Sequence, residues 1–588
     1  MAAKDIGKII ATVPPENEQI SKKFALKRNF LFWKNYLKAS SFVLNVLNNG
    51  YIIPFHYPPT KFCAKNNASA LRNKQFVTDE IEKLSNKGFV AEKFREPFCC
   101  NPLTVAEKGK LRLVLDLRHV NKFINEKHFR YEDLNCLAEI LEKDDFFVRF
   151  DLTAGYHHVD INEHCQKYLG FAWADGERDR FYEFTVLPFG LSPAGYVFSK
   201  IMRPITKCWR GQGFKVVIFL DDGIASNGGS AETKILADII QSDLKRAGFS
   251  VNFTKSDFTP TKRGEWLGMI VDTEKMTFQV PTEKILKLKE KILHVLTNKF
   301  VKAKELAAIT GTLSSMHKAI GSLVRFYTRS MYADIAKTDT WFDNIQISPK
   351  TLHELVFWLQ NIIYLNGLSF IKNPTTAKMV LQTDASSVGY GGYMVHRLEK
   401  LICCGKFSDI DKTSSSTFRE LLAVKLVLKS YGKILHDEVI QIYTDNFNVS
   451  RILQIGSAKE YLHDIALEIY LYCLKHNIKI ELQWIPREEN YTADFYSKFN
   501  DSDGWGVDRE TFHEINKHFG PLSVDRFADD RNAKLKKFNS KFYCPGTAQV
   551  DCFTANRPFP LLFEFAKHYG KCIYQPRNMK KTYRELCL

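Results

Sequence analysis

The chain has 588 residues, 45% hydrophobic and 25% charged, an ordinary balance for a folded protein of several domains. No uninterrupted apolar run approaches the roughly 20 residues a membrane span needs, and the start "MAAKDIGKII" lacks the apolar stretch of a secretory signal. Against 66 Asp and Glu stand 83 Lys and Arg, a formal net charge of +17. That excess suits a polyanionic partner, because basic side chains over phosphates release condensed counterions.

Thirteen cysteines include the doublets Cys99-Cys100 and Cys403-Cys404 but no CxxC pair. The pattern suits neither a zinc knuckle nor a disulfide framework and predicts reduced thiols in an intracellular protein, cytoplasmic or nuclear. Aromatics at 13%, with 45 Phe, supply the core and surfaces on which bases stack.

In chain order, residues 1–50 read as a polar start and an aromatic, basic helix, "KRNFLFWKNYLKASSFVLNVLNNG", ending at Gly50. "YIIPFHYPP" is Pro-broken and extended; "TDEIEKLSNKGFV" is an amphipathic helix with Asp79 and Glu80 in its first turn, closed by Gly88. From Asn101 to Val120 the pattern is strand, turn at Lys108-Gly109, strand. A strand then breaks after Asp151, and a helix opens at Ser192-Pro193. "FKVVIFLDDGIAS" is a hairpin, followed by a helix from cap Ser230 to Gly248. Residues 282–335 turn helical and lysine-rich, and 336–375 read as a short connection. From Lys378 the order is strand, Gly-rich hairpin, helix, strand, helix, strand and a short helix near Tyr491; after about residue 500 the sequence is irregular.

Adjacent carboxylates in an apolar hairpin need a reason. "VRFDLTAGY" places Asp151 at the end of a strand, and "IFLDDG" places Asp221 and Asp222 at a hairpin tip, with Gly223 tolerating the tight turn. Three carboxylates gathered in one sheet repel unless divalent cations neutralise them. With two Mg²⁺ (or Mn²⁺) ions such a cluster suits in-line phosphoryl displacement. Downstream, "LQTDAS" ends a strand at Asp384, "STFRELLAV" carries Glu420 within a helix, "IYTDN" ends a strand at Asp445, and "NYTADFYSK" starts a short helix around Asp494. Those four carboxylates make a second two-metal cluster, in which the nucleophile is water. Asp116 and Arg118 in "LDLR" read as a structural ion pair. His157, His158, His164 and Cys165 in "HHVDINEHC" fit no common zinc spacing and read as packing or template-contacting groups.

The motifs "NGYIIPF", "NPLTVAEKGKLRLVLDLRHVNKFI", "FDLTAGYHHVDI", "GFAW", "LPFGLSPAGYVFSKIM", "FLDDGI" and "WLGMIV" follow one another in an order that resembles reverse transcriptases, those of DIRS-type (tyrosine-recombinase) retrotransposons above all. The likeness runs from about Phe24 to past residue 550. It implies an α+β and α/β multidomain chain: a right-hand polymerase of fingers, palm and thumb, an RNase H-like domain and a small C-terminal extension. The implied boundaries are 1–50 for an N-terminal helical extension, 51–281 for fingers and palm, 282–335 for the thumb, 336–375 for a connection, 376–500 for the RNase H-like domain and 501–588 for an extension of unknown role.

Carried over residue by residue, the resemblance makes Asp151, Asp221 and Asp222 metal ligands of polymerisation. Arg112 grips the incoming triphosphate, with Lys108 or Lys110 as the neighbouring lysine. Tyr156 blocks a 2′-hydroxyl and so selects deoxynucleotides, Phe189 and Gly190 lie under base and sugar, and Lys255 protonates pyrophosphate. "EWLG" (Glu265 to Gly268) matches the primer grip. Asp384, Glu420, Asp445 and Asp494 match the RNase H metal ligands, and "VGYGGYMV" its Gly-rich strand. One departure is clear: a histidine common upstream of the last Asp in retroviral domains is absent, and "IPREENYTAD" offers Arg487 and Glu488 there. The implied partners are an RNA template, a DNA primer, RNA–DNA hybrid and dNTPs, with no membrane. A competing class is a non-enzymatic nucleic-acid scaffold or a domesticated element derived from a reverse transcriptase; scaffolds show eroded acids, and this chain shows none eroded. In 501–588, Asp525 and Asp551 are candidates for a third site, against the plainer expectation of a packing appendage.

Overall fold

The computed structural model describes residues 23–107, 109–125, 129–175, 178–298, 300–370, 379–396, 399–499, 507–526, 528–547 and 549–550. The chain divides into two compact units, Met1–Pro281 with Gly367–Ile371, and Thr282–Asn366 with Lys372–Leu588. Among the described residues no helix is long and apolar enough to cross a membrane.

In the first unit a four-stranded antiparallel sheet runs in the order Asp257–Thr261, Phe146–Asp151, Asp222–Asn227, Lys215–Phe219. Phe147, Val148, Val216, Val217 and Ile224 are fully buried in it. Such apolar, β-branched and aromatic residues favour a pleated, covered surface. The helices Ala194–Gly211 and Ser230–Ala247 pack on it, tied together by buried Trp209, whose Nε1 donates to Asp243 Oδ2 at 3.0 Å. A second, five-stranded sheet contains Gly170–Asp175 and Arg178–Phe184. A separate hairpin pairs Leu103–Ala106 with Arg112–Leu115, and Gly109, at φ 78, lies in its turn.

Several elements depart from the sequence expectations. The single helix expected over Lys27–Gly50 is interrupted: a π-helical turn spans Phe32–Tyr36, Lys38 sits at φ 50, and Ser40 caps a new helix, Ser41–Asn49. Seating Trp33 imposes the break, since its buried indole donates to the Ala247 carbonyl at 2.9 Å while Arg246 lies over Phe32 and Tyr36. The amphipathic helix starts at Lys74, not at Thr78, which moves Asp79 and Glu80 out of its first turn. Gly229, not Ser230, is the N-cap of the following long helix.

Gly223 has a different role from the one expected. The hairpin loop is Leu220 and Asp221, and Leu220 takes the left-handed conformation at φ 57. Two-residue loops of this kind match the twist of the strands they join. Gly223 lies within the strand, paired with Ile218 and Phe150, and a Cβ there would sit 2.1 Å from Phe150 Cζ. The glycine makes room for a ring.

The second unit opens with helices Thr282–Thr297 and Ala303–Ser315. The stretch expected as a plain connection carries a 13-residue helix, Pro349–Asn361, whose buried Trp358 donates to the Tyr327 carbonyl at 2.6 Å. A five-stranded sheet follows in the order Glu399–Lys406, Gly389–His396, Met379–Ala385, Val439–Thr444, Lys479–Trp484. Its first three strands are antiparallel, and the last two join in parallel. In the C-terminal extension, Tyr543 bridges the edge strand at Cys403 and donates its N–H to the Ile402 carbonyl at 3.0 Å. Phe542 lies against Tyr496 and Phe499. The extension thus covers an edge strand that would otherwise present open backbone groups. Asp525 accepts from the Lys534 amide at 2.8 Å, whereas Asp551 lies outside the described residues.

Gly223→Ala should lower the stability of the first unit by about 1–3 kcal/mol through overpacking against Phe150. A denaturation midpoint equal to that of the parent would show that the ring has room to move.

Candidate catalytic sites

The first acid set follows from strand register. Asp222 stands directly opposite Asp151 in the antiparallel ladder, and Asp221 precedes it in the turn, its carbonyl accepting from the Leu152 amide at 3.0 Å. Asp151 is buried, and its backbone is anchored on both sides: its N–H donates to Ser256 Oγ at 3.0 Å, and its carbonyl accepts from the Asn252 amide at 2.8 Å. Burial, the charges of Asp221 and Asp151, and a hydrogen bond with Asp151 push Asp222 up to about 6. Burial, with the charge of Asp151 adding to it, also raises Asp221. The Lys255 ammonium lies 3.2 Å from Asp151 Oδ2 and supplies part of the missing positive charge.

Around these acids the structure places the other expected residues. The Tyr156 ring packs on Phe189 and Phe198 at centroid distances of 5.1 and 5.5 Å, and burial pushes its hydroxyl up to about 12. Gly155 fits between this pair and the acids, since a Cβ there would lie 2.9 Å from Phe198 and 3.3 Å from the Asp221 Cβ. Phe189 is 47% exposed, an aromatic face open to solvent. Gly190, at φ 101, is pressed so closely on the Leu115 carbonyl that a Cβ would lie 2.7 Å from it. Asn121 secures the same junction, donating to the Gly190 carbonyl and accepting from the Ser192 amide. Arg112 and Lys110 are exposed on the hairpin that ends at Leu115; Lys108 lies outside the described residues.

Sequence reasoning had not assigned Asn121, Asn252 or Ser256, whose polar side chains and amides are common anywhere. Asp116 and Arg118 form an ion pair at 2.6 Å. Two of the three histidines pack: His158 bonds the Gly155 carbonyl through Nδ1 and accepts from the Ser250 amide at Nε2, while His157 lies against Phe89 and Phe189; His164 is exposed. Cys165 Sγ accepts from the Ile53 amide.

The second acid set is tighter. The strands Met379–Ala385 and Val439–Thr444 run in parallel with Gln382 beside Tyr443, so two residues further on Asp384, still paired with Gly391, and Asp445, just past its strand, stand at one level. Glu420 comes from the second turn of the helix Ser416–Ser430, capped by Ser415. Each of Asp384, Glu420 and Asp445 offers an oxygen within 4.8 Å of the others, and among the described residues no other His, Cys, Asp or Glu set of three does so. Asp151, Asp221 and Asp222 therefore do not close to that spacing.

Burial and the charges of Asp384 and Asp445 push Glu420 up to about 9, and its Oε2 is buried with no hydrogen-bond partner. A buried oxygen without a donor, facing two more carboxylates, fits a divalent cation bound through oxygen ligands. Asp494 stands apart. The helix Tyr491–Ser497 brings it alongside by lying on the Gly-rich strand, where a Cβ at Gly391 would be 2.3 Å from the Ala493 carbonyl. Asn490 donates to the Thr383 carbonyl and Ser386 to the Ser497 carbonyl, pinning both helix ends. Asp494 is ion-paired with Arg487 at 3.0 Å and Lys498 at 2.5 Å; against the effect of burial, these bonds hold it below the usual carboxylate range.

Residues 101–271 match the family described as reverse transcriptase (RNA-dependent DNA polymerase), and residues 375–472 match the RNase H-like domain found in reverse transcriptase. The chain carries these two domains in that order. It is similar to a polyprotein of Cassava vein mosaic virus, 21% identical over 72% of this chain and 64% of the viral one. It is also similar to the transposon Tf2-3 polyprotein of Schizosaccharomyces pombe, 23% identical over 79% of this chain and 33% of that protein. The chain thus spans less than two thirds of the length of these relatives. Among solved structures, a foamy viral protease-reverse transcriptase in complex with RNA/DNA hybrid is 14% identical with a TM-score of 0.48, covering 80% of this chain and 64% of that one.

The raised acids give a pH signature. A carboxyl whose folded pKa exceeds its unfolded one binds its proton more tightly in the folded state, so its contribution to stability is lost as pH rises. For Asp222 the window runs from 3.8 to about 6, and for Glu420 from 4.5 to about 9. Without divalent cations the protein should therefore lose stability from pH 7 to pH 9, above the range in which His157 and His317, lowered to about 4 by burial, act in the opposite sense, and adding Mg²⁺ at pH 7 should release about one proton from Glu420. Calorimetry in buffers of different ionisation enthalpy reads that release. Glu420→Gln should abolish it, and a release that survives in the variant would assign it elsewhere.

Proposed function

We propose that this protein is the reverse transcriptase of a retrotransposon of DIRS type, copying RNA into DNA at the first acid set and cleaving the RNA strand of the hybrid at the second. One observation carries the reading: two separate units each bring carboxylates from different elements together at strand ends, and each cluster lies in a domain of the matching family. The DIRS assignment is supported by the motif order and by the extension after the RNase H-like domain.

We assign fingers and palm to 51–281, preceded by a helical extension, the thumb to 282–335, a connection to 336–375, the RNase H-like domain to 376–500, and a packing extension to 501–588. Asp151, Asp221 and Asp222 would hold two Mg²⁺ ions in one site, and Asp384, Glu420, Asp445 and Asp494 two in the other. Bound there, the ions supply the charge that activates a primer hydroxyl or a water and steadies the leaving group. Arg112 and Lys110, with Lys108, take the triphosphate of a dNTP. The Tyr156 ring, held by Phe198 and Phe189, fills the volume a ribose 2′-hydroxyl would enter, and the exposed face of Phe189 with Gly190 supports the nucleotide. Lys255, already against Asp151, reaches the departing pyrophosphate and protonates it. The free thiols Cys99, Cys100, Cys165, Cys403, Cys473 and Cys544, all buried, support work inside the cell, in cytoplasm or nucleus.

Primer extension on an RNA template with Mg²⁺ or Mn²⁺ tests the reading directly. Asp221→Asn should reduce incorporation by at least ~100-fold while hybrid cleavage persists, and Asp445→Asn should do the reverse. Parent protein that binds hybrid without either reaction would instead be a nucleic-acid scaffold. Tyr156→Ala should admit ribonucleotides, and unchanged sugar selection would remove Tyr156 from that role.

A further inference from the structure

The four carboxylates of the second site are not equivalent. Asp384, Glu420 and Asp445 face one another, and Glu420 Oε2 is left without a donor. Asp494 already has two cations on it, Arg487 on one oxygen and Lys498 on the other. Arg487 belongs to the short turn Arg487–Asn490, between the last strand of the sheet and the Asp494 helix, and its side chain is 69% exposed. Its charge also acts on Asp445 and Asp384. An exposed ion pair of this kind is weak and readily exchanged. A guanidinium is also a flat fork of five donors, suited to phosphate as well as carboxylate.

We propose that Arg487 is a charge latch: with Lys498 it occupies Asp494 in the protein alone, and it transfers to a backbone phosphate of the hybrid when nucleic acid and a second divalent cation enter. The first cation position, at Asp384, Glu420 and Asp445, is open without nucleic acid. The second, which needs Asp494, fills only when the guanidinium has another anion to hold. Arg487 is therefore a positioning residue that makes completion of the site conditional on substrate. This rests on reading the site as an RNase H centre, although its test does not depend on turnover.

The test uses the full chain with Asp151→Asn and Asp222→Asn, so that the ions counted belong to the second site. Free Mn²⁺ is followed by electron paramagnetic resonance, with and without an RNA–DNA hybrid made uncleavable by 2′-O-methyl groups. The parent should take one tight ion alone and a second only with hybrid. Arg487→Gln should bind the second ion up to ~5-fold more tightly without hybrid, the change that losing one weak, exposed competing ion pair allows, and should bind hybrid more weakly. Lys498→Gln should move ion affinity in the same direction, and Arg487→Lys should stay near the parent. Two equally tight ions in the parent without hybrid, or an unchanged second ion in Arg487→Gln, would overturn the latch. If the ion steps follow the proposal but wild-type protein never cleaves hybrid, the RNase H reading fails and the latch stands.

Discussion

Backbone register forces like charges together in this protein. Asp222 lies opposite Asp151 because the whole ladder from Asn227 to Asp222 pairs with Phe146 to Asp151, and sliding it by one residue would turn each buried side chain to the other face. Asp384 and Asp445 are level because two parallel strands are in register over Met379 to Gln382. The carboxylates cannot separate without unzipping strands whose apolar residues are fully buried. Their repulsion is therefore held in place by the core, and divalent cations bound there would relieve it.

The two sites use this device differently. In the antiparallel sheet the acids meet across one pair of strands, and the third is contributed by the turn, which leaves the set looser and lets Lys255 reach Asp151. In the mixed sheet two strand ends and an inward-facing helix residue converge. That set is tight enough to drive Glu420 far above the ordinary carboxylate range. Glycines allow both arrangements by letting groups approach more closely than a Cβ would permit. Gly223 admits the Phe150 ring beneath the hairpin, and Gly391 admits the backbone of the helix that carries Asp494. Behind that helix, Phe542 of the C-terminal extension packs on Tyr496 and Phe499, so the last described part of the chain buttresses the second site.

The acids themselves were legible because a carboxylate at the end of an apolar strand is locally anomalous. Asp151, Asp221, Asp222, Asp384 and Asp445 all announce themselves in this way, and the hairpin and helix order around them follows from periodicity. Other features were not legible. The break before Ser41 depends on Trp33 finding the Ala247 carbonyl, a partner 214 residues away. The work of Gly223 was misread as turn geometry because the ring it accommodates belongs to another strand. Asn121, Asn252 and Ser256 carry no sequence signal, since their importance lies in which backbone groups come within reach.

By itself the sequence determined the list of charged and aromatic groups, their order, and the strands and helices that present them, because local periodicity and turn chemistry act over a few residues. Only the tertiary structure decided which of those groups share a field. Asp494 illustrates the difference: in sequence it is one of four equal acids, and in space it alone among them is ion-paired with both Arg487 and Lys498. Electrostatic energy depends on separation through space and on burial, and neither is written in the spacing along the chain.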